Sequence, residues 1–288
     1  MIDIAIIGAG PAGLSAAINA KIRNKTAKVF GNDPTTSYIY KAERVDNYLG
    51  MFGVTGAQMV ESFVGHAKEM EVEIVTKRVL EIFPMGDYYM LNVENEFIEA
   101  RTVILSNGIT KTNLLPGEEA LLGRGVSYCA TCDGPLYRGK TVALIGDSKA
   151  AEEDVEYLSE VCEKVYYTPL YKNHGAFKEN VEIINSRPKA IKGEGVVGAL
   201  ELADQTLDVQ GVFIIKESIP TMQLLKGLTI EDKAIKVNNF METNMPGVYA
   251  AGDCTGRPYQ VAKAVGQGTT AALQAVSFLH QKDKEAEA

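Results

Sequence analysis

An α/β fold of two similar domains, the second inserted in the first, is predicted by three observations on the 288-residue chain. First, "IAIIGAGPAGLSA" at residues 4–16 and "VALIGDSKAAEED" at 142–154 share one frame, an apolar strand running through a glycine turn into a helix. Second, the leading glycines Gly8 and Gly146 lie 138 residues apart, too far for a stacked repeat and suited to a duplicated nucleotide-binding unit. Third, "PGVYAAGDC" at 246–254 reads as a strand, a tight turn and an acidic residue at the strand end, which returns the chain to its first domain. Together these describe two Rossmann-like (three-layer ββα) domains of nucleotide-binding type, and the length suits two domains of roughly 100 to 200 residues each.

After the first turn, "PAGLSAAINAKI" is helical and "AKVF" is a short strand, which completes a βαβ-type opening. Residues 57–70, "AQMVESFVGHAKEM", carry apolar side chains at helical spacing. From 72 to 100 the pattern alternates as strands do, for example in "YYMLNVENEFIEA". "TVILSNG" at 102–108 reads as a buried parallel strand ending at a ligand site. Residues 109–139 hold prolines and glycines with little periodicity, so the chain leaves the first domain near residue 112. "TVALIG", the helix "SKAAEEDVEYLSEVCEK" and "VYYT" then build the second βαβ unit. The expected division is 1–112 with 242–288 for the first domain and 113–241 for the insertion, with "DKEAEA" a solvated tail.

With 46% hydrophobic and 23% charged residues the composition is that of a soluble globular protein. A formal charge of −8 argues against general attraction to nucleic acid or an anionic membrane. No stretch reaches the roughly 20 apolar residues needed to cross a bilayer. The opening "MIDIAII" has no basic leader, and four cysteines are too few for a disulfide scaffold, so a cytoplasmic, reducing setting is expected.

In "GAGPAG", Gly8 permits a tight turn, Gly10 lets the backbone approach a pyrophosphate, and Gly13 lets the helix pack on the strand. Phosphates would rest on the free amides and the positive end of the helix dipole. The acid that normally binds the ribose about 20 residues on has one candidate in "VFGNDP", Asp33.

The pair in "CATCDG", Cys129 and Cys132, can close a short disulfide, bind a metal or be buried small residues. Zinc would need two further ligands, and Cys162, Cys254 and the three histidines form no paired motif. Redox chemistry fits better, since Asp133 directly follows and could move a proton as thiol and thiolate interconvert.

In this order and at these intervals, "GAGPAG", "CATCDG" and "YAAGDC" resemble the low-molecular-weight, FAD-containing thioredoxin reductases over nearly the whole chain. The resemblance implies an FAD domain built from both chain ends, a smaller pyridine-nucleotide domain between them, and a homodimer. It implies that Gly8, Gly10, Pro11, Ala12, Gly13 and Asn47 bind FAD, with Asn107, Gly108, Gly252 and Asp253 on the flavin and ribityl side. Where an Arg-Gln-Ala triplet is usual, this chain has Gln260, Val261 and Ala262, which keep the backbone contacts but lose the arginine. Cys132 would face the flavin, Cys129 would attack thioredoxin, and Asp133 would exchange the proton.

The second glycine turn departs from that family. Ser148 stands where backbone should meet pyrophosphate, Asp147 is negative at the helix start, and Glu152, Glu153 and Asp154 follow. Such carboxylates favour an empty helix end by about 0.3 to 1 kcal/mol each and repel a phosphate. After the next strand only Lys172 and His174 are cationic candidates, without an arginine fork. This pattern resembles the ferredoxin-linked flavin thioredoxin reductases, a pyridine-nucleotide-independent branch found in clostridia. The expected activity is reduction of thioredoxin by ferredoxin through FAD and the Cys129/Cys132 dithiol. The alternatives are a nicotinamide or deazaflavin donor bound without the usual signature, or a flavin-binding interaction module. The mechanism further predicts a hinge near 109–116 and 240–246, and a ferredoxin-docking patch drawn from Lys21, Arg23, Lys25, Lys28, Lys41 and Arg44. Cys162 is expected in the core, and Cys254 has no assigned role.

Overall fold

The structure is a computed structural model in which residues 1–37, 39–94, 96–108, 114–215 and 224–287 are described. The chain divides into two compact units, Met1–Thr110 with Pro220–Ala288, and Lys111–Ile219.

The first unit opens with β1 (Ile2–Ile7), α1 (Pro11–Ile22) and β2 (Ala27–Phe30). Next come α2 (Gly56–Glu69), β3 (Glu73–Val75), β4 (Val79–Pro84), β5 (Tyr89–Val93) and the long β6 (Glu96–Leu105). Helix α2 starts where Thr55 and Gln58 exchange side-chain to backbone bonds, a capping box that satisfies two otherwise unpaired amides.

The second unit holds β7 (Val126–Ser127), α3 (Ala130–Asp133), β8 (Thr141–Gly146), α4 (Ala151–Val161) and β9 (Lys164–Pro169). It continues with β10 (Val181–Ile183), β11 (Pro188–Lys192), β12 (Ala199–Leu202), β13 (Thr206–Asp208) and β14 (Gly211–Ile215). Its parallel sheet runs in the order β10-β9-β8-β14-β7, beside an antiparallel sheet β11-β12-β13. Leu144 and Val142 face the α4 side of the core, with Val155 and Leu158, while Ala143 and Ile145 face Leu200 and Val209.

The chain then completes the first unit with β15 (Ile230–Glu231), β16 (Ala234–Ile235), β17 (Val248–Ala250) and α5 (Val261–Glu287). Seven strands form its sheet, in the order β3-β2-β1-β6-β5-β4, with β17 paired in parallel to the end of β6. Alternation along β1 sends Ile4 and Ile6 toward α1 and α5, and Ala5 and Ile7 toward the opposite face with Phe30 and Leu91. Both faces are covered, which is why this parallel strand reads as a continuous apolar run. Burying each such isoleucine contributes roughly 1.5 to 3 kcal/mol. Helices α1 and α5 meet so closely that a Cβ at Gly268 would lie 2.1 Å from the Ala12 carbonyl oxygen, so only glycine fits.

The return to the first unit falls at Pro220, earlier than the expected residue 242. Leu224, Leu225 and Ile235 are buried with Ala5, Ile7 and Phe30, contacts that carry no local periodicity for a sequence to reveal. Residues 240–246 therefore lie within the first unit, tied by a Glu242 to Tyr249 bridge, and not at a linker. The other expected hinge, at 109–116, falls largely outside the described residues. Among the described residues no helix is long and apolar enough to cross a membrane.

Candidate active site

The turn between β1 and α1 is shaped by what its glycines touch. Gly8 has φ +118°, and a Cβ there would lie 2.3 Å from the Ser106 carbonyl oxygen. A Cβ at Gly13 would lie 1.9 Å from the Gly8 carbonyl oxygen, while one at Gly10 would meet nothing within 4 Å. The turn is thus closed against β6 and open on the Gly10 side. Pro11 occupies the first helical position, where its missing N–H costs nothing, and neither a capping side chain nor an acid occupies the first turn. The amides at the start of α1 are free for an anion.

Ser106, which the sequence reading did not single out, secures this turn. Its hydroxyl lies 2.9 Å from the Ile7 carbonyl oxygen and 3.1 Å from that of Gly8. Asn107 and Gly108, the latter at φ +70°, follow directly at the end of β6.

At the end of β17, Gly252 has φ +85° and sits where a Cβ would come 3.0 Å from Ala12 Cβ. The structure therefore brings the Gly252–Asp253 turn onto the start of α1. Asp253 Oδ1 is buried without a hydrogen-bond partner. Burial pushes the Asp253 carboxyl above the usual carboxylate range, with Lys263 opposing. Asn47 Nδ2 donates to Gln260 Oε1 at 2.9 Å, which joins two more of the expected residues. Val261 and Ala262 begin α5 directly after. Asp33 instead serves its own loop: its Oδ1 accepts from the Thr35 amide at 2.9 Å and the Thr35 hydroxyl at 2.8 Å. The Thr35 amide is also the main reason its carboxyl is held below the usual range.

In the second unit Cys129 and Cys132 form a disulfide with Cα atoms 5.3 Å apart. Cys129 ends an extended segment and caps α3, its Sγ accepting the Cys132 amide at 3.1 Å. Thr131 Oγ1 lies 3.4 Å from the same sulfur, and the Ser127 hydroxyl takes the Cys129 amide at 3.1 Å. Cys132 is exposed and Asp133 half-buried.

The second glycine turn is built differently from the first. Before α4 the chain is already in helical conformation at Ala150, and the amides of Ala151 and Glu152 donate to the Ser148 and Lys149 carbonyls at 3.1 and 3.0 Å. The first turn likewise spends the Leu14 amide, which corresponds to Glu152, on the Gly10 carbonyl at 2.9 Å, so the two turns differ in the residues at Gly10 and Ser148 and in the conformation before the helix. A Cβ at Gly146 would meet Ala151 Cβ at 2.6 Å and the Tyr167 hydroxyl at 3.1 Å. Glu152, expected to act through its charge on the helix end, has a different task. Its Oε1 accepts from the Tyr171 hydroxyl at 2.6 Å and the Gly175 amide at 3.1 Å, and Tyr171 also bonds Tyr167 at 2.8 Å. The Tyr171 bond is the main cause holding the Glu152 carboxyl below its usual range.

Cys162 is buried in the α4 core as expected, its thiol pushed up to about 11 by burial. Cys254 is also buried, donates to the Ala251 carbonyl at 3.2 Å, and is pushed up to about 12 for the same reason.

Residues 2–268 match the profile of the pyridine nucleotide-disulphide oxidoreductases. The chain belongs to that family. The oxidoreductase is 32% identical to thioredoxin reductase of Aquifex aeolicus, over 98% of this chain and 94% of that one. It is 30% identical to NADH dehydrogenase of Bacillus subtilis, of whose length it spans 58%. A crystal structure of ferredoxin-flavin thioredoxin reductase from Clostridium acetobutylicum is 45% identical, with 98% of each chain covered and a TM-score of 0.90. The oxidoreductase is a flavin-dependent disulfide oxidoreductase with FAD as its cofactor. The first unit fits that group: uncapped α1 amides beside the open Gly10 suit a pyrophosphate, and the unpartnered Asp253 oxygen suits a hydroxyl.

Proposed function

We propose that the protein is an FAD-dependent thioredoxin reductase that takes electrons from reduced ferredoxin and needs no NADPH. The observation that supports this reading is the second turn, where Ser148 replaces the glycine and the first turn of α4 carries Glu152, Glu153 and Asp154 where α1 carries no acid, with Glu152 held by Tyr171 and Gly175. The likeness to the clostridial ferredoxin-flavin enzyme supports the same donor.

The residues proposed to hold FAD are Gly8, Gly10, Pro11, Ala12, Gly13, Asn47, Asn107, Gly108, Gly252, Asp253, Gln260, Val261 and Ala262. When bound, FAD accepts electrons singly and passes on a pair. With FAD bound, that pair would reduce the Cys129–Cys132 disulfide to two thiolates, Cys129 being the one that leaves Cys132. The Cys132 amide and the Thr131 hydroxyl, placed at 3.1 and 3.4 Å, stabilise that thiolate. Cys129 Sγ then attacks the substrate disulfide, forming a mixed disulfide and releasing one substrate thiolate. Cys132 attacks Cys129, restores the internal disulfide and releases the second substrate thiol, with Asp133 exchanging protons.

The docking patch expected for ferredoxin needs revision. Lys21 lies in the last turn of α1, so Lys21, Arg23 and Lys25 sit near the opposite end of a helix roughly 18 Å long from the Gly10 turn. Lys28 pairs with Glu73 at 2.7 Å and Arg44 with Asp46 at 2.9 Å, which leaves exposed Lys41 from the original set. The homodimer implied by the resemblance is part of this proposal, and sedimentation of the purified protein tests it.

An anaerobic titration separates the donors: flavin absorbance is followed as NADPH, NADH or reduced ferredoxin is added. Bleaching by ferredoxin alone is expected, and rapid bleaching by a nicotinamide would overturn the donor assignment.

A further inference from the structure

We propose that Lys263 tunes the reduction potential of the bound flavin, its ammonium favouring the negative charge that reduction places on the ring. This rests on the reading that FAD occupies the first unit against Asp253.

The amine is placed by the fold at a specific turn. Lys263 lies in the first turn of α5, and its Nζ donates to the Gly252 carbonyl at 3.1 Å and to the Gly256 carbonyl. Those two carbonyls bracket Asp253, the residue whose buried Oδ1 lacks a partner. A cation is disfavoured at a helix start, because the dipole there is already positive. No acid in the first turn of α5 compensates it. Burial also disfavours the charged amine and lowers its pKa, while Asp253 acts in the opposite direction.

The charges do not cancel at this end of the helix. Lys263 and Asp253 together are neutral, so the partial positive charge of the α5 start is left over. Lys263 and the α5 start thus supply positive charge at this turn that offsets the Asp253 carboxylate. Two electrons and one proton added to a neutral oxidised ring leave one negative charge on it. The oxidised ring carries none, so the surplus acts on one redox state and not the other. The sequence keeps a cation here although Gln260, Val261 and Ala262 supply no arginine.

The test is a potentiometric titration of the FAD-loaded enzyme with dithionite and a reference dye, comparing wild type with Lys263→Gln, Lys263→Met and Lys263→Arg. Glutamine keeps a donor for the turn carbonyls and removes the charge, which separates turn geometry from electrostatics. Lys263→Gln and Lys263→Met are expected to lose about tenfold in the preference for reduced over oxidised flavin, a potential about 30 mV more negative. Lys263→Arg is expected to keep the wild-type value. If Lys263→Gln retains FAD at the wild-type potential, the proposal is overturned, whatever Lys263→Met does. A wild-type protein that binds no FAD would instead overturn the reading on which the proposal rests.

Discussion

Replacing Gly10 and Gly13 separately by alanine distinguishes a turn built for a ligand from one built only for packing. At Gly13 the new Cβ lies 1.9 Å from the Gly8 carbonyl oxygen and 2.7 Å from Ser106 Oγ. Reaching ordinary contact at about 3.5 Å requires the strand or the helix to move by roughly 1.5 Å. Overpacking of this kind costs about 1 to 3 kcal/mol, so both stability and FAD affinity fall. At Gly10 the added Cβ meets nothing, and its φ of −82° with ψ of −176° suits any residue. The loss of glycine freedom in the unfolded chain favours Gly10→Ala by about 0.4 to 1 kcal/mol. The poorer capping by alanine offsets that gain, so the melting temperature of the apoprotein should stay within a few degrees of wild type. A methyl group nevertheless stands where a pyrophosphate would approach the backbone. A loss of about 1.4 to 2.8 kcal/mol would weaken FAD binding about 10- to 100-fold. Flavin fluorescence quenching on titrating apoprotein with FAD, alongside apoprotein melting curves, reads both quantities. Gly10→Ala binding FAD with wild-type affinity would refute the assignment of the phosphates to this turn.

Cys129→Ser should abolish turnover with thioredoxin while the flavin remains reducible, so reduction of flavin and of substrate disulfide part company in stopped-flow traces. A variant that still reduces thioredoxin at the normal rate would remove Cys129 from its nucleophilic role. Glu152 has a folded pKa below its ordinary 4.5, so its bonds to Tyr171 and Gly175 contribute stability above that pH and lose it as pH falls through the lower, folded value. Thermal melts from pH 6 down to about 3 should therefore decline more steeply for wild type than for Glu152→Gln. After mild reduction, iodoacetamide should label Cys129 and Cys132 but spare Cys162 and Cys254, whose buried thiols are raised to about 11 and about 12. Mass spectrometry that finds four labels on the native protein would contradict that burial.

The features visible in the sequence were those written over short distances. Gly8, Gly10 and Gly13 announced the first turn, because a strand, three spaced glycines and a helix lie within 21 residues. The Cys129/Cys132 pair and Ser148 were legible for the same reason. Ser106 was not, since its role is a bond to residues about a hundred positions away across adjacent strands. Leu224 and Leu225 joined the first core through contacts equally remote in sequence, which shifted the boundary from 242 to 220. Glu152 was visible in the sequence as an acid at the start of α4, but the partner that fixes it, Tyr171, lies beyond the end of β9 and left no pattern. The basic residues show the same limit, because charge is visible in a sequence while the pairing of Lys28 with Glu73 or of Arg44 with Asp46 is not.

The closed second turn also bears on what protein engineering can recover there. Changing Ser148 to glycine would leave the Ala151 and Glu152 amides donating within the turn, and Tyr171 would still hold Glu152. Freeing Glu152 alone would leave the amides spent and no arginine to receive a 2′-phosphate. On the proposed reading these obstacles are separate contacts, so no single substitution would remove all of them. Rebuilding the site would require replacing the β8–α4 turn and the segment after β9 as a single graft.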